Sequence, residues 1–307
     1  MSRAPATQHG RICAVGLACL DHVWHVERFP PTSSRTHATS HRSHGGGPAA
    51  TAAVAAARLG GEVTLWAALG DDDAGHALDS ELVGEGVRLH ATRASGSRSF
   101  VSAVLVAPDG ERHIFPYRGR GLADEPDALD WDDLARAGAL LTDARHPRMS
   151  AHALALARHH GVPTVGDWSD MRHWEQTEAI DHLIVSEECA HEALGSADPA
   201  SALERLRRRA GQLVAVTMGP RGIVWDAGDG ARLTFAPRVE VVDSTGAGDA
   251  FHGAFAFAIA SGRDARAAMR LASAVGALAC TGAGRDALPD LATAERLAAT
   301  LDDEELR

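Results

Sequence analysis

Cysteine is scarce in this chain, and the few cysteines are scattered. The four cysteines include no Cys-x-x-Cys pair, which argues against a disulfide framework or a thiolate zinc site and favours a reducing compartment. Residues 1–10 lack the apolar core of a secretion signal, and no apolar run approaches the length that spans a membrane. We therefore expect a soluble cytoplasmic protein with no membrane partner.

Signatures of several other protein classes are also missing. No Gly-x-x-x-x-Gly-Lys-[Ser/Thr] sequence is present, which argues against a P-loop nucleotide hydrolase. No Gly-x-Gly-x-x-Gly follows the first apolar strand, which argues against a dinucleotide-dependent oxidoreductase. Positive charge is in deficit, because the 307-residue chain has a formal net charge of −11, so nucleic acid is a poor candidate partner. The length suits one large α/β domain, alone or with a small appendage.

One segment that is present, residues 243–251 (DSTGAGDAF), is highly informative. A β-branched run at 239–242 precedes it and an apolar stretch at 250–260 continues it, which predicts a strand, a glycine turn and a helix. Such a turn leaves backbone N–H groups uncovered at a helix N-terminus, where an anion is favoured. The residues that supply this site are Gly246, Ala247 and Gly248.

Asp249 falls in the first turn of that predicted helix, beside the anion site. A carboxylate next to a phosphate-sized site suggests a base that acts on the nucleophile attacking the phosphate. The alternative is an aspartate that caps an ordinary glycine turn. The flanking strand and the apolar helix favour the phosphate site.

The rest of the chain predicts an α/β fold. After Trp131, strand-like and helix-like segments alternate, which indicates a doubly wound, mostly parallel sheet flanked by helices. Two strand-rich excursions, at about 22–44 and 92–120, depart from this alternation and are expected to pair into a small β-sheet. Strands are expected at 139–142, 163–166, 183–185 and 213–217, and helices at 49–59, 150–160, 201–210, 247–260, 264–280 and 291–300.

Two further features suggest a small polyol ligand. Gly46 and Gly47 open the helix at 49–59, where a glycine turn lets a ligand approach the backbone and Thr51 offers a hydroxyl. Asp21 lies just past the first strand, where ligands of open α/β sheets bind, and its carboxylate can accept two hydroxyls. An ordinary helix start and a loop or capping aspartate are the alternatives.

Together these segments resemble the PfkB/ribokinase family of carbohydrate kinases over nearly the whole chain. The similarity is carried by the signature at 243–255, by residues 46–60, and by segments at 70–72 and 216–222. It implies a single ribokinase-like domain over 1–307 with a small β-sheet lid. It also implies an ATP- and Mg²⁺-dependent kinase that phosphorylates a small sugar.

The resemblance also implies roles for individual residues. Asp249 is expected to be the catalytic base. The transferred γ-phosphate is expected to lie in an anion hole formed by the amides of Gly246, Ala247 and Gly248. The sugar is expected to bind at Asp21, Gly46, Gly47 and Thr51. The nucleotide side is expected to be lined by Thr217, Gly219 and Gly222.

The chain departs from the family pattern at two places. Thr51 stands where the family usually has asparagine, and residues 186–189 (SEEC) replace the usual Asn-x-x-Glu near the metal and phosphates. Glu187 or Glu188 could still act on Mg²⁺ through water, since Mg²⁺ keeps several of its waters.

Two more expectations come from the resemblance and from the lid. Members of this family often bind a monovalent cation, usually K⁺, near the anion hole, and here Asp243 and Thr245, with the loop around 280–285, could supply carbonyl oxygens to such a site. A lid strand with an exposed edge commonly pairs with a second copy, so we expect a homodimer formed through the lid.

Both departures are shared with the sulfofructose kinase branch of the family, which phosphorylates 6-deoxy-6-sulfofructose at its 1-hydroxyl. The resemblance implies sulfonate contacts from Arg35 and Arg145, and an arginine fork suits an anion with three oxygens. Pro116 differs from the branch, which has asparagine there. Kinases for ribose, fructose, a fructose phosphate, a ketodeoxysugar acid or a nucleoside stay open. So does a non-catalytic sugar-binding protein on the same fold.

Overall fold

A computed structural model describes residues 10–29, 35–108, 112–169, 171–195 and 198–306. The strands are β1 (Arg11–Val15), β2 (Cys19–Val26), β3 (Ala38–Gly46), β4 (Glu62–Gly70), β5 (Val87–Ala94), β6 (Phe100–Val106), β7 (Arg112–Tyr117), β8 (Ala139–Thr142), β9 (Thr164–Trp168), β10 (His182–Ser186), β11 (Leu213–Thr217), β12 (Ile223–Asp226), β13 (Arg232–Thr234) and β14 (Asp303–Glu305). The α-helices are α1 (Pro48–Arg58), α2 (Asp73–Gly84), α3 (Pro147–His160), α4 (Glu187–Leu194), α5 (Pro199–Leu206), α6 (Ala247–Ala260), α7 (Ala265–Ala279) and α8 (Leu291–Ala298).

The larger of two sheets has ten strands in the order β14-β13-β12-β11-β10-β9-β8-β1-β4-β5. The seven strands from β11 to β5 run parallel. The remaining three, β12 to β14, extend one edge as antiparallel neighbours. The predicted mostly parallel, doubly wound sheet is confirmed, and the antiparallel edge is an addition that the sequence analysis did not predict.

Helices cover both faces of the large sheet, as the alternating pattern predicted. One face packs against α1, α6 and α7, and the other packs against α3, α4 and α5. Helices α1 and α6 cross closely, because a Cβ at Gly253 would lie 2.1 Å from the carbonyl oxygen of Ala52. Their N-terminal ends also meet, since a Cβ at Gly246 would lie 3.3 Å from the methyl of Thr51. Within the described residues, no helix combines the length and the apolar character needed to cross a membrane.

The second sheet, here called the lid, has four strands in the order β3-β2-β6-β7. It comes from the two excursions that the sequence pattern singled out, with different bounds. Strand β2 begins at Cys19, earlier than expected, and residues 92–94 belong to β5 of the large sheet. Strands β6 and β7 pair antiparallel with Val106 opposite Arg112, and part of the turn between them lies outside the described residues.

Candidate active site

Residues 243–251 form the loop before α6 and the first turn of that helix. Gly246 precedes the helix with a φ of 75°, a left-handed conformation that favours glycine. No side chain caps the helix. The first-turn N–H groups are therefore not covered by a side chain, although that of Ala247 donates to the carbonyl oxygen of Ser244 at 3.4 Å, and a helix end of this kind can bind an anion. Asp249 lies in this first turn, as predicted.

The strand predicted just before this turn is wrong. Residues 239–242 are irregular, and Val241 and Val242 are 62% and 64% exposed. The backbone N–H groups of Val242 and Asp243 donate to the carbonyl oxygen of Cys280 at 2.8 and 3.2 Å. The β-branched run therefore lies on the surface and is anchored by the loop after α7 rather than by a neighbouring strand.

The charge of Asp249 is strongly influenced by its surroundings. Burial in the cleft and the nearby carboxylates of Asp167 and Asp143 raise the pKa of Asp249 to about 8, against the opposing charges of Arg285 and Arg145. A carboxyl whose pKa lies near the working pH can take up a proton from a sugar hydroxyl and release it afterwards. Its position beside the helix N-terminus suits proton removal next to a bound phosphate.

The sequence analysis did not single out Asp143, which follows β8 and organises this edge. Its Oδ2 accepts the N–H groups of Leu17 at 2.9 Å and Ala49 at 3.1 Å, and its Oδ1 accepts the N–H of Arg145 at 2.8 Å. Burial raises the pKa of Asp143 to about 6. Asp143 therefore ties the β1–β2 connection, the start of α1 and the Arg145 loop together.

Asp167, in β9, is the second aspartate that the sequence analysis missed. Its Oδ2 lies 3.5 Å from Nδ1 of His252, and that nitrogen is 2.7 Å from the carbonyl oxygen of Gly248. His252 is thus a buried polar neighbour of the site. Both missed aspartates lie at carboxyl ends of parallel strands, a location that marks the ligand edge of such sheets.

The expected sugar residues come together beside Asp249. Asp21 lies on the lid strand β2 and accepts a hydrogen bond from Sγ of Cys19 at 2.9 Å. A Cβ at Gly46 would lie 2.0 Å from Oδ2 of Asp21, so the glycine turn packs directly against this carboxylate. Thr51 is buried on α1, and its hydroxyl oxygen accepts hydrogen bonds from the buried guanidinium of Arg285, a residue that the sequence analysis did not identify.

A cavity of about 140 Å³ opens next to this sugar site. Its wall includes Asp143, Phe100 and three arginines that arrive from separate segments: Arg118 of the lid, Arg145 after β8 and Arg172 after β9. Arg145 also donates to the hydroxyl of Ser169. Arg145 thus shares this cavity wall with two further arginines, and its expected contact with a sulfonate stays a prediction.

Arg35, the other residue expected to contact a sulfonate, does not line this cavity. It lies exposed ahead of β3. Its expected contact with the substrate stays a prediction.

The expected nucleotide residues lie between the carboxyl end of β11 and the start of β12. Strand β11 pairs with β10, with Thr217 opposite Ser186, and Gly219 and Gly222 follow with positive φ angles of 58° and 97°. A Cβ at Gly222 would lie 2.3 Å from the carbonyl oxygen of Thr234, which explains why only glycine fits there.

The donor set for a divalent metal is sparse. Glu187 forms an ion pair with Arg221, Glu188 is exposed, and Cys189 is buried. Throughout the described residues, no three His, Cys, Asp or Glu side chains are arranged to hold a metal ion. The expected contact of Glu187 or Glu188 with Mg²⁺ through water therefore stays a prediction.

Asp243 and Thr245, the expected monovalent-cation residues, are engaged with each other and with the lid. Oδ1 of Asp243 accepts the N–H and the hydroxyl of Thr245 at 2.9 and 2.6 Å. Arg112 of β7 donates to Asp243 at 3.4 Å and also to the hydroxyl of Thr245. The side-chain oxygens of both residues therefore bind a guanidinium, and the expected binding of a monovalent cation by their backbone carbonyl oxygens stays a prediction.

Comparison with known proteins agrees with this geometry. A model of the pfkB family carbohydrate kinase matches residues 10–291. The chain is 30% identical over 292 residues to the ribokinase of Bacillus subtilis (strain 168). This alignment covers 93% of this chain and 98% of that protein. A presumed ribokinase from Agrobacterium tumefaciens superposes with a TM-score of 0.85 at 31% identity, covering 95% of this chain and 98% of that chain.

A more distant solved structure is the Arabidopsis thaliana ribokinase in complex with ribose and ATP. It has a TM-score of 0.82 and 24% identity, and the match covers 94% of this chain and 99% of that chain. The chain is therefore a member of the pfkB family of carbohydrate kinases, with the ribokinase-like α/β fold and the ATP-dependent phosphotransferase activity of that family.

Proposed function

We propose that this kinase phosphorylates a sugar that carries a strong anion, with 6-deoxy-6-sulfofructose, phosphorylated at its 1-hydroxyl, as the substrate. The observation that carries the proposal is the cavity beside the sugar site, whose wall contains Arg118, Arg145 and Arg172. The chain as a whole has a net charge of −11, so three arginines around one small cavity run against its general composition. Guanidinium groups recognise anions with several oxygens by paired hydrogen bonds, which a sulfonate can accept.

The proposed reaction uses the residues around Asp249 in a defined order. Asp21 and the Gly46–Gly47 turn hold the sugar, and the lid covers it. Asp249 accepts the proton of the attacking hydroxyl, and the first-turn amides of α6 take up charge on the transferred phosphoryl group.

The nucleotide is proposed to lie along Thr217, Gly219 and Gly222, between the carboxyl end of β11 and the start of β12. Mg²⁺ bound with ATP would neutralise charge on the phosphates, with Glu187 or Glu188 acting only through water. A requirement for K⁺ stays a prediction, and rates measured with K⁺ replaced by tetramethylammonium test it.

A homodimer through the lid is part of the same proposal. Strand β7 is an edge of the lid, and its side chains Ile114, Phe115 and Tyr117 are 52%, 58% and 50% exposed. Apolar side chains on an open sheet edge favour pairing with a second copy. Light scattering after size exclusion measures the mass that decides this point.

The substrate proposal predicts a selective effect of Arg145→Gln. We expect the variant to raise KM for 6-deoxy-6-sulfofructose by roughly ten- to a hundredfold, because one charge-assisted contact is lost. The rate with a neutral sugar such as fructose should change by less than about threefold, since fructose places no anion there. ADP formation over a panel of sulfofructose, fructose 6-phosphate, fructose, ribose, a nucleoside and a ketodeoxysugar acid measures both effects.

Arg148→Gln is the matched control for this prediction. Arg148 is exposed on α3, three residues beyond Arg145, and is outside the cavity wall. It should leave all rates unchanged. If the enzyme prefers fructose 6-phosphate or the sugar acid, the proposed anion site stands, but its ligand is a phosphate or a carboxylate rather than a sulfonate. Preference for a neutral sugar, with equal effects of Arg145→Gln on all substrates, would overturn the proposal.

A further inference from the structure

A buried cation, Arg285, lies directly behind the proposed sugar site. Arg285 is only 6% exposed, although it belongs to the loop between α7 and α8. Its Nη1 pairs with Oε1 of Glu81 at 2.8 Å, and its Nη2 donates to the carbonyl oxygen of Gly46 at 3.2 Å. A buried guanidinium with its donors engaged in this way is held in one position.

The same guanidinium determines which hydrogen bonds Thr51 can make. Nε and Nη2 of Arg285 both donate to Oγ1 of Thr51, at 3.3 and 3.1 Å. A threonine hydroxyl has two acceptor lone pairs and one hydrogen. Because Arg285 faces the acceptor side, the hydroxyl hydrogen is left to donate away from it. Thr51 therefore presents a donor at the position where the family usually has asparagine.

Glu81 fixes the other side of the glycine turn. Its Oε2 accepts the N–H of Gly45 at 2.6 Å while Oε1 holds Arg285. A Cβ at Gly45 would lie 2.6 Å from Glu81 and 2.8 Å from Arg285, so the turn fits between these two side chains and Asp21. The Glu81–Arg285 pair thus holds the turn and Thr51 in a fixed relation to each other.

The electrostatics of the pair also involve the reaction centre. Burial lowers the pKa of Arg285, whereas Glu81, Asp249 and Asp21 oppose this shift and favour the charged guanidinium. The positive charge of Arg285 in turn lowers the pKa of Asp249, against burial and the neighbouring carboxylates that raise it. Arg285 therefore places one positive charge among the carboxylates of the site.

We propose that Arg285 is a positioning residue for sugar recognition: held in place by Glu81, it orients the Thr51 hydroxyl as a donor to a sugar oxygen. The inference rests on the proposed function, because it takes the sugar to bind between Asp21, the glycine turn and Thr51. It does not depend on which sugar is bound.

Steady-state kinetics of paired variants test this role. We expect Thr51→Val to raise KM for the sugar roughly tenfold, because a hydroxyl donor is lost. Thr51→Ser keeps the hydroxyl, so its KM should stay near the wild-type value. Arg285→Gln should raise the same KM at least tenfold, with KM for ATP within twofold of the wild type. In a Thr51→Val background, Arg285→Gln should raise KM for the sugar by less than a further threefold, because Arg285 acts through Thr51.

A second variant and a control keep the test decisive. If Arg285→Gln alone does not fold, Glu81→Gln/Arg285→Gln removes both charges and is measured in its place. Arg263→Gln breaks an exposed ion pair with Glu295 and should leave every constant unchanged. An effect of Arg285→Gln that is equally large with Val at position 51, or a lower melting temperature with no change in KM, would overturn the proposal.

The choice of sugar separates this inference from the substrate proposal. The assay uses 6-deoxy-6-sulfofructose, or, where that sugar gives no ADP, the sugar of the panel with the highest rate. Turnover of ribose or fructose alone would reject the sulfonate assignment, and the same variants measured on that sugar would still decide the role of Arg285.

Discussion

Asp249→Asn is expected to lower kcat by about two to four orders of magnitude while leaving the protein folded. Asparagine keeps the size of the side chain and its place in the first turn of α6, but it cannot accept the proton of the attacking hydroxyl. The amides of that turn remain, so nucleotide binding should be nearly unchanged. Single-turnover ADP formation separates this loss of the chemical step from any loss of binding.

The same substitution should change how stability depends on pH. The pKa of Asp249 is about 8 in the folded protein, above the ordinary value of about 4 that an unfolded chain retains. A carboxyl with a raised pKa stabilises the fold fully below pH of about 4, and this contribution is lost as the pH rises through 8. The variant cannot ionise, so its melting temperature should exceed that of the wild type at pH 9 and approach it toward pH 4.

Asp264→Asn is the matched control, because it makes the same exchange at the start of the next helix. Asp264 caps α7 by accepting the N–H of Ala267 at 2.8 Å, and asparagine caps a helix about equally well. Its kcat and the pH dependence of its stability should match those of the wild type. Kinase activity near the wild-type level in Asp249→Asn would reject Asp249 as the base.

Local patterns in the sequence were enough to predict much of the fold. The helix Ala247–Ala260 and the strands Ala139–Thr142 and Leu213–Thr217 have the bounds that were expected. Each apolar run is followed within two residues by an aspartate or a glycine, which helices or strands disfavour, namely Asp143, Gly219 and Gly262. The run at 239–242 had the same β-branched character and is not a strand, because β-propensity records packing that this surface segment lacks.

The residues that were missed depend on contacts between distant parts of the chain. Asp143 binds the N–H of Leu17, 126 positions earlier, and Arg285 binds Thr51, 234 positions earlier. Neither residue stands out locally, since one follows a short strand and the other lies in a loop of small residues. What could have indicated Arg285 is the departure at Thr51: a shorter side chain in place of asparagine leaves room for another group.

Gly46→Ala is expected to raise KM for the sugar by about a hundredfold or more, about as much as Asp21→Ala. The added Cβ would lie 2.0 Å from Oδ2 of Asp21, so the carboxylate must turn away from its proposed place against the sugar. Two hydrogen bonds to a charged group contribute about 1.5–3 kcal/mol each, and the smaller sum already corresponds to about a hundredfold. Sugar and ATP KM values, measured separately, should show a change in the first alone.

This substitution should weaken sugar binding without destabilising the fold, because Oδ2 of Asp21 is at the end of a side chain that can rotate. The melting temperature should therefore stay close to that of the wild type. Gly84→Ala is the control, since a Cβ there meets nothing within 4 Å. Since the alanine at position 46 acts by displacing Asp21, adding it to Asp21→Ala should raise KM little further. A full additional hundredfold in that double variant would show that Gly46 contributes to sugar binding independently of Asp21.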